Sequence, residues 1–315
     1  MRSAGESMGG GRGVWWFALL GVLVLVDVGL IVAAVSSTQP RAQAEAGPIP
    51  TFSQEPIKDV VTPPPSETPT PTASSSAAGS DSTPQVFLSA VSETEAWRAT
   101  SGDCAGTPAR VERTTDGGAT WDAVTIPFDL RTVVALSAGS ERTSVYGGVG
   151  DTCGLGYWST FTAGEFWKEY PSDAIGVSYL DQATSTVVSA TDVSPAPCDA
   201  PRRVLVQDTT TMVVCDGLLE TSGSAGWTPL IVAGVMDATP AVPGYFLALR
   251  DAEGCDGIAV ATVATPLSEG VEPTRVGCVS GADGTVAIAV TRVGDVIWLS
   301  SADRSWVSTD GGVTW

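Results

Sequence analysis

From residue 85 onward the apolar positions come in short bursts rather than at helical spacing. Val86-Phe87-Leu88-Ser89-Ala90-Val91 is followed by Glu95-Ala96-Trp97-Arg98-Ala99, and Val133-Val134-Ala135-Leu136 by Ser144-Val145-Tyr146. Val187-Val188-Ser189-Ala190, Tyr245-Phe246-Leu247-Ala248-Leu249, Val286-Ala287-Ile288-Ala289-Val290 and Val296-Ile297-Trp298-Leu299 continue the series. Such runs, rich in β-branched and aromatic residues and broken by turn residues at intervals of roughly 8–12, predict short strands. An all-β domain over 85–315 is the expectation.

Two earlier stretches read differently. Residues 14–36 open with Val14-Trp15-Trp16-Phe17 and stay apolar to Val35, apart from Asp27. About 20 such residues cross a hydrocarbon core of ~30 Å, so a transmembrane helix is predicted. Arg2 and Arg12 precede it and the next basic residue is Arg41. The positive-inside tendency therefore places 1–13 in the cytoplasm and the remainder outside, making a single-pass protein of the cell membrane. The alternative is secretion after signal cleavage near Ala42-Gln43-Ala44 or Ala44-Glu45-Ala46, but the span is longer than an ordinary signal core. Residues 37–84 are rich in Pro, Ser and Thr and poor in aromatics, the composition of a disordered linker.

Two segments inside the strand-rich region match over eight residues: Thr114-Thr115-Asp116-Gly117-Gly118-Ala119-Thr120-Trp121 and Ser308-Thr309-Asp310-Gly311-Gly312-Val313-Thr314-Trp315. Ser/Thr and Asp side chains bond nearby backbone N–H groups, Gly supplies positive φ, and Trp supplies apolar area, so each segment reads as a hairpin turn with an anchor. Weaker copies end at Trp167 and Trp227: Thr160-Phe161-Thr162-Ala163-Gly164-Glu165-Phe166-Trp167 and Glu220-Thr221-Ser222-Gly223-Ser224-Ala225-Gly226-Trp227. The pattern resembles the Asp-box, or BNR, repeat of sialidase-like and non-catalytic β-propellers. The resemblance implies a propeller of four-stranded blades, five to six in number. Five units can be drawn, 85–128, 129–171, 172–230, 231–281 and 282–315, with a sixth left open. The last stops at its Trp, and Lys58-Asp59-Val60-Val61-Thr62-Pro63 is a candidate to complete it. In this family the boxes are structural, so Thr114, Asp116, Gly118, Trp121, Trp167, Trp227, Ser308, Asp310, Gly312 and Trp315 are expected to build the fold.

All six cysteines follow the apolar span, and an even number in an exported domain suggests disulfides. Cys104, Cys153, Cys198 and Cys255 each trail a strand-like run, while Cys215 and Cys278 echo the last two. The expected pairs are Cys104–Cys153 between neighbouring units, Cys198–Cys215 and Cys255–Cys278.

Composition narrows the chemistry. The chain has no histidine, which removes Ser-His-Asp and Cys-His catalysis and the commonest metal ligand; neither a metal nor a cofactor is expected. The net charge is −19, unsuited to nucleic acid. Fourteen of the 16 basic residues are Arg, which with the abundance of Ala, Val and Gly suggests a bacterial source. There is no Arg-Ile-Pro sequence, and the tyrosines form no recognisable pairing with acids, so no catalytic residue is assigned. The reading is a membrane-anchored, extracytoplasmic binding or assembly scaffold at the bacterial cell surface, with an unidentified protein or glycan partner. The alternative is a sialidase-like glycoside hydrolase. The loops Ala99–Cys104, Gly147–Cys153, Asp192–Cys198 and Asp251–Cys255 are expected to gather at one end as the binding rim.

Overall fold

The computed structural model describes residues 84–315, apart from 191, 208, 209, 224, 225, 266 and 268–270. The expected transmembrane helix, nearly all of the linker and the candidate strand Lys58–Pro63 lie outside the described residues. Among the described residues no helix is long and apolar enough to cross a membrane.

The apolar runs are continuous rather than alternating because the sheets are covered on both faces. In β1 (Val86–Ala90), Phe87 packs with Val133 and Val145 on one side, while Leu88 and Ala90 pack with Ala289 and Trp298 on the other. The first sheet runs β1 to β2 (Ala96–Thr100), β3 (Arg110–Thr114) and β4 (Asp122–Ala123), all antiparallel. The second repeats this order with β5 (Ala135–Ala138), β6 (Thr143–Val149), β7 (Gly154–Thr160) and β8 (Lys168–Glu169). A third has three strands, β9 (Tyr179–Asp181), β10 (Thr186–Val188) and β11 (Val193–Pro195).

Next comes a seven-stranded sheet. It holds β12 (Pro201–Gln207), β13 (Thr210–Cys215), β14 (Gly217–Gly223), β15 (Gly226–Ala241), β16 (Gly244–Leu249), β17 (Gly257–Val263) and β18 (Thr274–Ser280). The 16-residue β15 serves two neighbours in turn. Residues 226–230 pair with β14, Val235 pairs with both β14 and β16, and from Asp237 onward the partner is β16. Gly234 between them takes φ +78°, a left-handed kink that a side chain would strain. One strand thus closes one four-stranded leaf and opens the next. The chain ends in β19 (Ile288–Val293), β20 (Val296–Ser301) and β21 (Arg304–Ser308).

Six leaves therefore succeed one another: the five hydrogen-bonded sheets, with the seven-stranded one counted twice. The unit drawn as 172–230 holds two of them. Its first leaf was hidden because Pro171–Ala174 forms a 3-10 turn where a leading strand would start, and the strands that follow are only three residues long. Nor are all leaves four-stranded, since the third and last have three among the described residues. First strands meet round a ring: β1 lies beside β5 and β19, and β15 beside β12 and β19. The irregular third leaf joins through β9 against β12, and through Tyr179 edge-on to Tyr146 at 5.3 Å. This is an all-β propeller arrangement.

Register separates two ends of the ring. Val86 pairs with Thr100 and Thr100 with Arg110; Pro201 pairs with Cys215, and Ile288 with Ser301. The starts of first strands and the β2–β3-type loops thus share one end, and the Asp-Gly-Gly turns take the other. Three disulfides stand at the first end: Cys104–Cys153, Cys198–Cys215 and Cys255–Cys278. They are the pairs read from the loops.

Candidate functional site

The repeated turns are built alike. Thr114 Oγ donates to Asp116 Oδ1 at 2.8 Å and accepts from Gly118 N at 3.0 Å. Asp116 in turn accepts from Thr120 N at 3.0 Å and Thr120 Oγ at 2.6 Å. Ser308, Asp310, Gly312 and Thr314 reproduce the network at 2.7, 2.8, 3.0 and 2.7 Å. In the second leaf Thr160 Oγ accepts from Gly164 N at 3.0 Å, and Thr162 Oγ stands in for the carboxylate, accepting from Phe166 N at 2.9 Å.

The tryptophans after these turns are half-buried, each against the preceding leaf. Trp121 stands edge-on to Trp298 at 6.3 Å, Trp167 edge-on to Trp97 at 6.4 Å, and Trp315 packs in the cluster of Phe246 and Val276. Trp227 is different. It lies within β15, paired with Ser222, and packs towards Leu180 and Val187 of the third leaf. These side chains close their own turns or pack between leaves.

The axis opens at the disulfide end into a pocket of about 440 Å³. First-strand residues converge on it, Gln85 and Val86 from the first leaf, Arg202 and Arg203 from β12, Asp237 from β15 and Ile288 from β19, with Gln182 from the third leaf. Gln85 Nε2 donates across it to the carbonyl of Arg202, and Gln182 Nε2 to that of Pro201 at 3.4 Å. Arg203 Nη1 meets Asp237 Oδ2 at 2.7 Å, and the same oxygen accepts from Val290 N at 2.8 Å. The Asp237 side chain is 5% exposed. Its burial pushes the carboxyl pKa up, while the Arg203 guanidinium and the N–H groups of Val290 and Ala238 pull it back. Asp216 bridges Arg202 at 3.2 Å and Arg250 at 3.4 Å beside the pocket. Asp199, which also lines it, is exposed.

Three of the expected rim loops, with Cys104, Cys153 and Cys255, lie at this end. The fourth belongs only in part. Ser189 N bonds Asp192 O at 2.8 Å in the β10–β11 turn, so Asp192 sits at the opposite end and β11 carries the chain back towards Cys198. The pocket's polar residues were not foreseen. Arg203 and Asp237 are 34 positions apart and share no local motif.

No family model and no curated protein matches the chain. Solved structures do. A YCF48 protein bound to a D1 peptide shares 13% identity over 75% of this chain and 82% of its own, with a TM-score of 0.27. The GH74 xyloglucanase of Xanthomonas campestris shares 16% over 73% of this chain and 37% of its own, with a TM-score of 0.26. A bifunctional GH43-CE protein of Bacteroides eggerthii shares 12% over 73% and 33%, with a TM-score of 0.35. The chain thus spans about a third of the two glycoside-hydrolase chains. All three scores fall below 0.5, and the functional reading rests on this chain's own residues.

Proposed function

We propose that this chain is a non-catalytic, membrane-anchored scaffold whose Asp-box propeller stands outside the cell and binds a protein or glycan partner at the disulfide end. One observation carries the non-catalytic reading. The buried carboxylate of the axial pocket, Asp237, is consumed by Arg203 and the Val290 N–H, which tie β12, β15 and β19 together. An ordinary glycoside hydrolase, of the kind that works with a carboxyl pair, needs two carboxyl groups free to act on one bond. The disulfides support an extracytoplasmic domain. The apolar run at 14–36 supports the anchor.

A photo-cross-linking residue at Gln182, on the pocket, should yield a discrete adduct in cells, and one at Glu93, at the other end, should not. Equal labelling from both positions rejects the pocket as the contact face. The hydrolase alternative draws on Asp199 and Asp237, the two carboxylates lining the pocket. It predicts glycoside turnover that Asp199→Asn abolishes, whereas the scaffold reading predicts none to abolish.

A further inference from the structure

Among the described residues, the second leaf carries the exposed aromatic surface, at the end away from the axial pocket. Among the described residues, eight large hydrophobic side chains stand exposed. Three stand at the turn end of this leaf and its flank: Phe161 at 56%, Phe166 at 72% and Ile175 at 85%, whereas Leu155 lies at the other end of β7, near Cys153. The two other Asp-Gly-Gly-type turns serve as internal controls. Phe161 occupies the position of Thr115 and Thr309, and Phe166 that of Thr120 and Thr314. Thr120 and Thr314 bond their aspartates, yet the second turn closes without that bond, through Thr160 and Thr162. Neither phenylalanine is therefore needed for the turn, and neither is buried by the ring. A clustered apolar surface of this kind marks an interaction site.

The patch is pre-ordered. Phe161 stands edge-on to Tyr170 at 6.1 Å, and the Arg142 guanidinium lies 5.2 Å from the Tyr170 ring and 5.6 Å from those of Phe161 and Tyr157. Arg142 is itself engaged by Asp173 at 2.6 Å and Ser159 at 2.7 Å, so its charge is neutralised from within. Lys168 is the one remaining basic side chain on this flank, against exposed Glu141, Glu165 and Glu169. A groove of about 410 Å³ beside the turn is lined by the same Glu165 and by one further acid, Asp122; its one arginine, Arg113, is paired with Glu95 at 2.9 Å.

Rigid aromatics in an acidic frame fit one kind of partner. We propose that the turn Thr160–Trp167 and its groove bind a protein segment that presents an aromatic or aliphatic side chain next to a lysine or arginine. The apolar group covers Phe161 and Phe166, while the cation meets the rings and the glutamates. The inference stands independently of the axial pocket.

The test uses the full-length chain in lipid nanodiscs, panned with a random peptide library. Selected peptides should pair basic with apolar residues. Their Kd should rise about tenfold or more on F161T/F166T, which installs the residues of the sister turns, with the melting midpoint unchanged. E165K/E169K leaves the turn chemistry intact and should weaken the same peptides, so it decides the matter if the first variant fails to fold. Selection of acidic peptides, indifference to both variants, or F161T/F166T-sensitive binding of chitotetraose or cellotetraose instead of peptides would each overturn the proposal.

Discussion

Asp116 and Asp310 hold backbone donors that the turns would otherwise leave to water. The hydroxyl and N–H of Thr120, with the Thr114 hydroxyl, lower the Asp116 pKa to about 2. The Thr314 N–H and hydroxyl, with Ser308, hold Asp310 well below the ordinary carboxylate range. A carboxylate depressed in the folded state stabilises the fold above its unfolded value, near ~4, and ceases to as pH falls through the folded one. The urea midpoint should therefore drop between about pH 4 and pH 2, and the drop should shrink in D116A/D310A; an unaltered slope would show that the turns do not titrate with the fold. The second turn yields a prediction of opposite sign. Ala163 stands where its sisters have Gly117 and Gly311, and takes φ +53°. Left-handed backbone costs a non-glycine residue about 1–2 kcal/mol. The added chain entropy of a glycine returns about 0.4–1 kcal/mol of that. Ala163→Gly should stabilise the domain by about 0.5–1 kcal/mol in equilibrium urea unfolding. This scale was the most legible in the sequence, because each turn's bonds close within eight residues. Thr162 escaped because a hydroxyl replaces a carboxylate and breaks the written pattern while keeping the acceptor.

Between elements the decisive contacts are glycine on aromatic. A Cβ on Gly118 would stand 3.1 Å from Trp298, one on Gly164 3.3 Å from Trp97, and one on Gly312 2.9 Å from Phe246. These aromatics belong to β20, β2 and β16, the second strand of the preceding leaf in each case. The turns therefore act as interlocking teeth, and the glycine serves both positive φ and close approach. Gly312→Ala should cost about 2–4 kcal/mol, combining left-handed strain with overpacking of the Phe246 and Ile297 contacts. Pairing it with Phe246→Leu should recover part of that loss in a double-mutant cycle, and strict additivity would deny the contact. Little of this was legible. Trp97, Phe246 and Trp298 were visible as strand residues, but nothing local says which leaf covers them. The third leaf was missed for a related reason, since strands of three residues without a leading strand give no readable period. The disulfides escaped this limit because the loops that carry them repeat.

For the whole ring, closure falls to side chains. The disulfides tie the first leaf to the second, the segment leading into β12 to β13, and the β16–β17 loop to β18, and none joins the first leaf to the last. That seam brings together residues some 200 positions apart. Trp298 Nε1 donates to Ser92 O at 2.8 Å, Trp121 Nε1 to Ser305 Oγ at 3.2 Å, and Arg98 Nη1 to Ala302 O at 3.2 Å. Arg98 is nearly buried, held by Glu112 at 2.9 Å and stacked 4.5 Å from the Trp121 ring. Trp298 lies at the centre and is fully enclosed, so Trp298→Ala should cost about 3–5 kcal/mol. Its distribution is more telling than its size. A ring closed by this seam opens there first, so amide exchange in Trp298→Ala should quicken together in β1–β3 and β19–β21. Exchange in β16–β18, stapled by Cys255–Cys278, should stay slower. Loss of protection in the last leaf alone would mean that the first leaf holds its place without it, and the ring would then be closed from elsewhere.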